Sequence, residues 1–234
     1  DIAFHGGEVH FFNRFKQNGF HSTDPSTLRR AYSCVLNSWT SQVKFRHFGE
    51  KTPAYMRLLT EEGWRTVHQT IPDAKIVAIL RDPVDRYQSA LKQKFFSQNC
   101  NQELFAHKEL FKPASVMGMG GLYQAQLRRI LSAYRREQLL VVFFEDFIEN
   151  PLSFYNAIFK FLGLRPLKPH EFSVTHANDS ANKCPPDTRL LLTQEQKETL
   201  REFYLEDVRA LRSLLGRDIP WPRFFPSQSP RKKT

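Results

Sequence analysis

The sequence predicts an α/β protein of three layers, α/β/α, built around a central parallel sheet. Two short predicted strands, at 75–80 and 139–144, contain continuous apolar runs (76–80 in the first) with the length typical of strands that are buried on both faces. Stretches with apolar residues at helical spacing lie between these runs and on either side of them. Strands that alternate with helices are typical of a parallel sheet that helices cover.

Six helices are predicted, each a stretch in which apolar residues recur every three or four positions. Their approximate ranges are 26–42, 61–70, 83–97, 120–136, 154–162 and 193–215. Gly163 is expected to end the fifth helix as a C-cap, because glycine adopts the left-handed conformation without strain. The stretches 98–117 and 165–192 are polar and contain proline, which predicts loops.

Length and composition indicate one globular domain. The chain has 234 residues, of which 41% are hydrophobic, and this is enough to bury a full core. No internal repeat or linker is visible, so we expect a single domain over 1–225, followed by a basic tail at 226–234. No stretch reaches the roughly 20 apolar residues that a transmembrane helix needs, so no membrane span is expected.

The net charge of +10 predicts an anionic partner. A sulfated or carboxylated glycan, a nucleotide phosphate and a nucleic acid all fit this charge. The three cysteines, Cys34, Cys100 and Cys184, match neither a disulfide framework nor the spacing of metal ligands. We therefore predict no metal site, and the cysteines are too few to indicate a redox compartment.

The segment KIVAILRDPVDRYQS at 75–89 predicts a strand, a tight turn and a helix. Asp82 suits the N-cap of the helix, and Pro83 suits its first position. Arg81 then lies at the carboxyl end of the strand beside a helix N-terminus, where open α/β sheets bind anions. An ordinary turn with a surface arginine fits this segment equally well. In either case Arg86 could pair with Asp82 across one helical turn.

Four blocks of sequence lie in one order along the chain. They read GEVHFFNR at 7–14, GEKTPAYM at 49–56, LRDPVDRYQSA at 80–90 and GLYQAQLRRILSAYRREQLLVVFFEDFIENP at 121–151. Over most of residues 1–216 the chain resembles the sulfotransferases that use 3′-phosphoadenosine 5′-phosphosulfate (PAPS), most closely the heparan sulfate (glycosaminoglycan) branch and its bacterial relatives. The resemblance implies the P-loop NTPase-like sulfotransferase fold, PAPS as the cofactor and no metal.

The resemblance implies catalytic roles for three residues. Glu8 matches the family's catalytic base, His10 lies near the acceptor, and Lys51 matches the lysine that contacts the sulfuryl region. Sulfuryl transfer needs a base for the acceptor's proton and cations that neutralise the leaving phosphate. If residues 8–10 are extended, the side chains of Glu8 and His10 point to the same side. The alternatives are a solvated carboxylate near the terminus, a packed core histidine and a surface lysine.

The resemblance also implies a cofactor site. Arg81 and Ser89 match the pair that holds the 3′-phosphate of PAPS, and a guanidinium fork with a hydroxyl suits a phosphate group. Lys183 and Arg189, in the predicted loop 165–192, are candidates for contacts with the 5′-phosphate. Residues 98–121 are expected to line the acceptor side.

Two features depart from the family. Asn13 stands where several glycosaminoglycan sulfotransferases carry an acidic residue, and an amide cannot act as a base. The family's 5′-phosphosulfate loop, a turn rich in lysine, glycine and threonine, is not found before the block at 7–14. Asp1 lies roughly where the helix after that loop would end. We therefore expect further residues upstream, and weak cofactor binding without them.

The sequence favours an enzyme that transfers a sulfuryl group from PAPS to a hydroxyl or amine, with a carbohydrate as the favoured acceptor and no nucleic acid as a partner. The alternative is a non-catalytic protein on a degenerate sulfotransferase scaffold that binds a polyanion or a nucleotide. A nucleotide kinase is a weaker option, because no GxxxxGK[ST] motif is present. The expected compartment is the cytoplasm for a bacterial enzyme and the Golgi lumen for the catalytic domain of a eukaryotic one.

Overall fold

The structure is a computed structural model. It describes residues 2–4, 8–14, 24–37, 47–97, 111–173 and 192–226. Four strands lie within these ranges, namely β1 (Ile2–Phe4), β2 (His47–Gly49), β3 (Ile76–Leu80) and β4 (Leu139–Phe143). β1 pairs in parallel with β2, with Ile2 opposite His47, and β3 neighbours β4. Helices separate the strands in sequence, and the parallel pairing confirms the predicted α/β class.

Ten α-helices lie within the described ranges. They are α1 (Phe11–Arg14), α2 (Pro25–Asn37), α3 (Ala54–Leu58), α4 (Glu61–Thr70), α5 (Pro83–Ser97), α6 (Val116–Met119), α7 (Tyr123–Leu131), α8 (Phe144–Glu149), α9 (Pro151–Leu162) and α10 (Gln194–Leu215). Two short 3₁₀ helices also occur, at Arg136–Gln138 and Pro169–Glu171.

Most of the predicted helices are present, and their ends have local causes. The Thr60 hydroxyl caps α4, and Gly163 ends α9 with φ of +78°, as its residue type predicts. The predicted helix at 120–136 is shorter than expected. The amides of Ala133 and Tyr134 both bond to the carbonyl of Ile130, which tightens the chain into a turn after α7.

The chain divides into two compact units. The first comprises Asp1–Ile76 and Ala125–Leu139, and the second comprises Val77–Gln124 and Leu140–Thr234. The single domain over 1–225 stays a prediction. Of the expected basic tail, only Pro226 lies within the described residues.

An aromatic cluster forms part of the core of the first unit. Phe11 and Phe12 of α1 are buried, and both rings contact Tyr32 of α2, with centroids 5.2 and 5.0 Å away. The ring of Tyr55 in α3 lies edge-on to Phe12 at 5.8 Å. Aromatic pairs at these distances stabilise beyond the area that they bury. The cluster therefore fixes the segment that follows Glu8 against α2 and α3.

The core of the second unit lies along α10, where four apolar residues share one buried stripe. They are Leu200, Tyr204, Val208 and Leu211. The prediction that the first strand is buried on both faces is wrong, because Ala78 and Leu80 of β3 are buried whereas Ile79 is 55% exposed. Side chains alternate across a strand, so an apolar run alone does not show whether both faces are covered. Within the described ranges, no helix combines the length and apolar character needed to cross a bilayer.

Candidate functional site

The residues predicted for the site fall into two groups. Glu8, His10 and Lys51 belong to the first unit, whereas Arg81 and Ser89 belong to the second. The two candidates for the 5′-phosphate, Lys183 and Arg189, lie outside the described residues.

Glu8 and His10 contact each other through their side chains. The Oε2 atom of Glu8 lies 2.9 Å from Nε2 of His10, and the two side chains are 41% and 21% exposed. The other ring nitrogen, Nδ1, lies 3.3 Å from both polar atoms of the Asn13 amide group. The pair therefore reaches solvent while the imidazole is held on both sides.

The backbone of this segment is not extended at His10, so the condition under which the side chains of Glu8 and His10 would point to the same side is not met. His10 has φ of +56°, in the left-handed region. This conformation costs a residue other than glycine about 1–2 kcal/mol, and such residues often occur at functional sites. The two side chains thus meet across a turn, and contacts elsewhere must hold the turn in place.

Those contacts come from the block GEKTPAYM. The amides of Val9 and His10 donate to Oγ1 of Thr52, at 3.2 and 3.3 Å. The amide of Phe12 donates to the Tyr55 hydroxyl at 3.2 Å. The first two sequence blocks are therefore joined by three hydrogen bonds from the backbone of one to side chains of the other.

Glu50 accepts hydrogen bonds from the same two side chains and from α2. Its Oε1 accepts from the Tyr32 hydroxyl at 2.9 Å, and its Oε2 accepts from Thr52 at 3.1 Å and from Tyr55 at 3.4 Å. Burial, followed by the charge of Glu50, raises the pKa of both the Tyr32 and the Tyr55 hydroxyls. Both tyrosines thus stay protonated and can donate to the carboxylate.

Lys51 is exposed, and it lies between the two residues of this network, Glu50 and Thr52. Its ammonium forms no ion pair with any carboxylate in the described part of the chain. A free ammonium next to the residue that binds the His10 amide can receive an anionic group.

In the second unit, Arg81 lies at the carboxyl end of β3, where the sequence predicts it. Its carbonyl accepts a hydrogen bond from the Tyr123 hydroxyl at 2.9 Å, which fixes the backbone at the strand end. Its guanidinium carbon lies 5.0 Å from the ring centre of Phe144, a cation–π contact. Among the described carboxylates none pairs with Arg81, so its N–H donors can serve an anion.

Asp82 is the N-cap of α5, as predicted, and it is buried. Its Oδ1 accepts from the amide of Val84 at 2.9 Å and from that of Asp85 at 3.3 Å. The same oxygen lies 2.7 Å from Nη1 of Arg223. Burial raises the pKa of Asp82 to about 6, and the charge of Arg223 opposes that rise.

Arg86 does not form the predicted ion pair with Asp82. Its guanidinium donates instead to the carbonyl of Met117. The Oδ1 atom of Asp82 accepts instead from two amides and from Arg223. The backbone of Asp82 is also fixed, because its amide donates to Oε1 of Glu145 at 2.8 Å.

The start of α5 offers fewer free donors than the sequence suggested. Pro83 has no N–H, the amides of Val84 and Asp85 bond to the Asp82 side chain, and the amide of Arg86 bonds to the Asp82 carbonyl at 2.8 Å. These amides are therefore not available to a phosphate. Of the residues predicted to hold the 3′-phosphate, the guanidinium of Arg81 and the half-buried hydroxyl of Ser89 can still donate. A cation with a hydroxyl fits a phosphate group.

The glycine-rich turn at 117–121 packs inside the second unit. A Cβ atom on Gly121 would lie 2.8 Å from the Tyr204 ring and 3.0 Å from Pro83. The Tyr204 hydroxyl donates to the carbonyl of Gly118 at 2.8 Å. These glycines thus allow close packing between the start of α5 and α10, while much of the predicted acceptor side, 98–110, lies outside the described residues.

Sequence reasoning missed several of these contributors, among them Glu50, Thr52, Tyr55 and Arg223. The block GEKTPAYM, from which only Lys51 was selected, also contains Glu50, Thr52 and Tyr55. Their position close to Lys51 was the sequence signal that could have identified them. Arg223 carried no such signal, because 141 residues separate it from Asp82.

Comparison with known proteins places these blocks in one family. The sequence model of the sulfotransferase family matches residues 8–169. A solved structure titled as a sulfotransferase from Alicyclobacillus acidocaldarius superposes with a TM-score of 0.65 at 25% identity. The superposition covers 94% of this chain and 87% of that one.

Two curated relatives are named as sulfotransferases of carbohydrates. Mouse carbohydrate sulfotransferase 15 is 26% identical over 194 residues, which cover 72% of this chain and 33% of the relative. Human heparan sulfate glucosamine 3-O-sulfotransferase 6 is 25% identical over 246 residues, which cover 94% of this chain and 66% of the relative. The chain thus spans about one third of the first protein and just under two thirds of the second.

Proposed function

Because the chain belongs to the sulfotransferase family, we propose that it transfers a sulfuryl group from PAPS to a hydroxyl or amine of a glycan. The glycan is supported by the names of the relatives, which include carbohydrate and heparan sulfate sulfotransferases. The net charge of +10 suits an anionic glycan. The observation that carries the proposal is the contact of Glu8 with His10. The His10 amide bonds to Thr52, the residue that follows Lys51 in the sequence.

Each residue has a distinct task in this reaction. PAPS, when bound, supplies an activated sulfuryl group on a phosphate leaving group. The Oε2 atom of Glu8 is engaged by His10, so we assign Oε1 as the atom that takes the acceptor's proton. His10 orients that carboxylate, and Lys51 offsets negative charge that develops on the phosphate.

The second unit provides the residues that would hold the nucleotide. Arg81 and Ser89 would hold its 3′-phosphate, with Tyr123 fixing the Arg81 backbone. Lys183 and Arg189 remain proposed contacts of the 5′-phosphate. These four residues bind and orient the cofactor, whereas proton transfer belongs to the first unit.

The test is transfer of radiolabelled sulfate from PAPS to a panel of unsulfated and partly sulfated glycans by the full chain. The variant Glu8→Gln should lower kcat by about 10²- to 10⁴-fold, the usual range for loss of a general base. Its affinity for 3′-phosphoadenosine 5′-phosphate (PAP) should stay within about twofold, because the nucleotide contacts lie elsewhere.

The matched control is Glu137→Gln, which removes one exposed carboxylate from the same unit and should leave kcat unchanged. Wild-type activity in Glu8→Gln would rule out Glu8 as the base. Absence of transfer by the wild-type chain to every acceptor, together with tight binding of PAP or a glycan, would favour the non-catalytic alternative.

A further inference from the structure

We propose that Glu50 is a positioning residue, which holds Glu8 and His10 in their productive arrangement through the hydroxyl groups of Thr52 and Tyr55. Glu50 has no described contact with the side chain of either Glu8 or His10, so its effect passes through these hydroxyls. This role rests on the proposed function, because it takes Glu8 as the base.

The first step concerns the direction of the hydroxyl protons. A hydroxyl has one proton to donate and two lone pairs that accept. Thr52 and Tyr55 both donate their proton to Oε2 of Glu50, at 3.1 and 3.4 Å. Each hydroxyl oxygen then has only lone pairs left for residues 9–12. By taking both protons, the Glu50 carboxylate makes Thr52 and Tyr55 act as acceptors toward those residues.

The second step concerns the amides that need those acceptors. Val9 and His10 both donate to the single Thr52 oxygen, and Phe12 donates to the Tyr55 oxygen. Hydrogen bonds in such a chain polarise and strengthen one another, so loss of the carboxylate weakens all three amide contacts. Three anchored amides within four residues leave the backbone little freedom to rotate.

The third step links the backbone to the chemistry. His10 sits at φ of +56°, and this dihedral angle decides where the imidazole points. If the anchors loosen, the residue relaxes toward the ordinary negative φ region, and Nε2 moves away from Oε2 of Glu8. Misplacement of a reacting group by about 1 Å can lower the rate about 100-fold.

Packing around Glu50 supports a fixed carboxylate. Its Oε1 is held by Tyr32, whose ring is buried between Phe11 and Phe12. Burial and the charge of Glu50 raise the pKa of the Tyr32 hydroxyl, which favours the protonated form that donates to Oε1. The Glu50 carboxylate is therefore held by a donor from α2 as well as by Thr52 and Tyr55.

The test compares Glu50→Gln and Thr52→Val with the conservative variant Thr52→Ser. Gln cannot accept at both of its polar atoms, and Val fills the space of Thr without its hydroxyl. Each should lower kcat by about 10- to 100-fold with PAP affinity within about twofold of wild type. Thr52→Ser should recover kcat to within about threefold, because it keeps the hydroxyl.

A second measurement reports the anchors directly. Amide hydrogen exchange at Val9 and His10, followed by NMR, should be faster in Glu50→Gln and Thr52→Val but not in Thr52→Ser. The control is Thr66→Val on α4 in the same unit, where the lost hydroxyl bonds only to the carbonyl of Glu62. This control should change neither kcat nor the exchange at Val9 and His10.

The double variant Glu50→Gln/Thr52→Val should lose clearly less kcat than the product of the two single losses, because both changes act on the branch through the Thr52 hydroxyl. If the two losses in kcat multiply in full, Glu50 and Thr52 act independently, and the proposed positioning role of Glu50 is wrong. Wild-type kcat in both single variants, beside an impaired Glu8→Gln, would overturn the positioning role and leave the base in place. Wild-type kcat in Glu8→Gln would overturn the base, and this role with it.

Discussion

Each unit sets a carboxylate beside its residues of the candidate site, and the two carboxylates accept different kinds of hydrogen bond. Glu50 in the first unit accepts from three hydroxyls. Asp82 in the second accepts from two amides of its own helix and from the guanidinium of Arg223. Glu50 thus acts on other segments through neutral groups. Asp82 caps a helix directly and lies beside a cation within a buried site.

On the proposed function, this difference separates residues that act in catalysis from residues that act in nucleotide binding and stability. Changes around Glu50 should alter the placement of Glu8 and so appear in kcat. Changes around Asp82 should alter the turn that carries Arg81, and so appear in nucleotide affinity and in the free energy of unfolding. The following variants test this separation within the second unit.

The largest effect is expected at Arg81. Arg81→Gln should lower the affinity for PAP by about 100-fold, or about 3 kcal/mol, because a charge-assisted contact with the 3′-phosphate is lost. Affinity for adenosine 5′-phosphate, which lacks that phosphate, should stay within about twofold. Isothermal titration calorimetry with both nucleotides measures the two values.

The control is Arg209→Gln, which removes the same charge from an exposed position on α10. It should leave both affinities unchanged. Equal losses for the two nucleotides in Arg81→Gln would mean that Arg81 does not contact the 3′-phosphate. Thr52→Val should not lose PAP affinity to the extent that Arg81→Gln does. If it did, the assignment of nucleotide binding to the second unit alone would be wrong.

A smaller effect with a defined pH dependence is expected at Arg223. Burial raises the pKa of Asp82 to about 6, and Arg223 lowers it, so Arg223→Met raises the pKa further. A carboxyl group with a raised pKa stabilises the fold fully at a pH below its ordinary value near 4. That stabilisation is lost as the pH rises through the raised pKa. The variant should therefore lose about 2 kcal/mol at pH 8 and much less at pH 5.

Urea unfolding of the wild type and the variant at the two pH values measures this difference. The matched control is Arg212→Met, whose partner Asp218 is 60% exposed. That surface pair should contribute less than about 1 kcal/mol at either pH. Nη2 of Arg223 also lies 3.1 Å from Oδ1 of the half-exposed Asp85. An equal loss at pH 5 and pH 8 in Arg223→Met would therefore show that the guanidinium acts by packing or through Asp85, and not by neutralising Asp82.

The fold elements that the sequence predicts well are those with local causes. α4 and α5 begin at their predicted residues, because Thr60 and Asp82 bind amides that lie within three residues of them. Gly163 ends α9 for an equally local reason. The exposure of Ile79 could not be predicted, since it depends on which other segments cover that face of the strand.

The same distinction applies to the candidate site. A motif is enough to select Lys51 and Arg81, because it fixes residue types at short spacing. The hydrogen-bond network of Glu50 includes Tyr32, which lies 18 residues earlier in the sequence. Arg223, the partner of Asp82, lies 141 residues later. The left-handed His10 could not be read from its residue type either, because few residues other than glycine adopt it.

The smallest effect concerns the packing that supports the Asp82 turn. Gly121→Ala would place a Cβ atom 2.8 Å from the ring of Tyr204 and 3.0 Å from Pro83. Tyr204 is fully buried and is tied to the carbonyl of Gly118. The ring therefore cannot move aside easily, and the variant should lose about 1–2 kcal/mol in urea unfolding.

The matched test frees the ring with Tyr204→Phe, which removes the bond to Gly118 and keeps the ring itself. If the clash is the cause, the loss in the double variant Gly121→Ala/Tyr204→Phe should be smaller than the sum of the two single losses. Strict additivity would show that the ring does not resist the added methyl group. The start of α5, and Arg81 with it, would then depend on the Asp82–Arg223 pair and not on packing against α10.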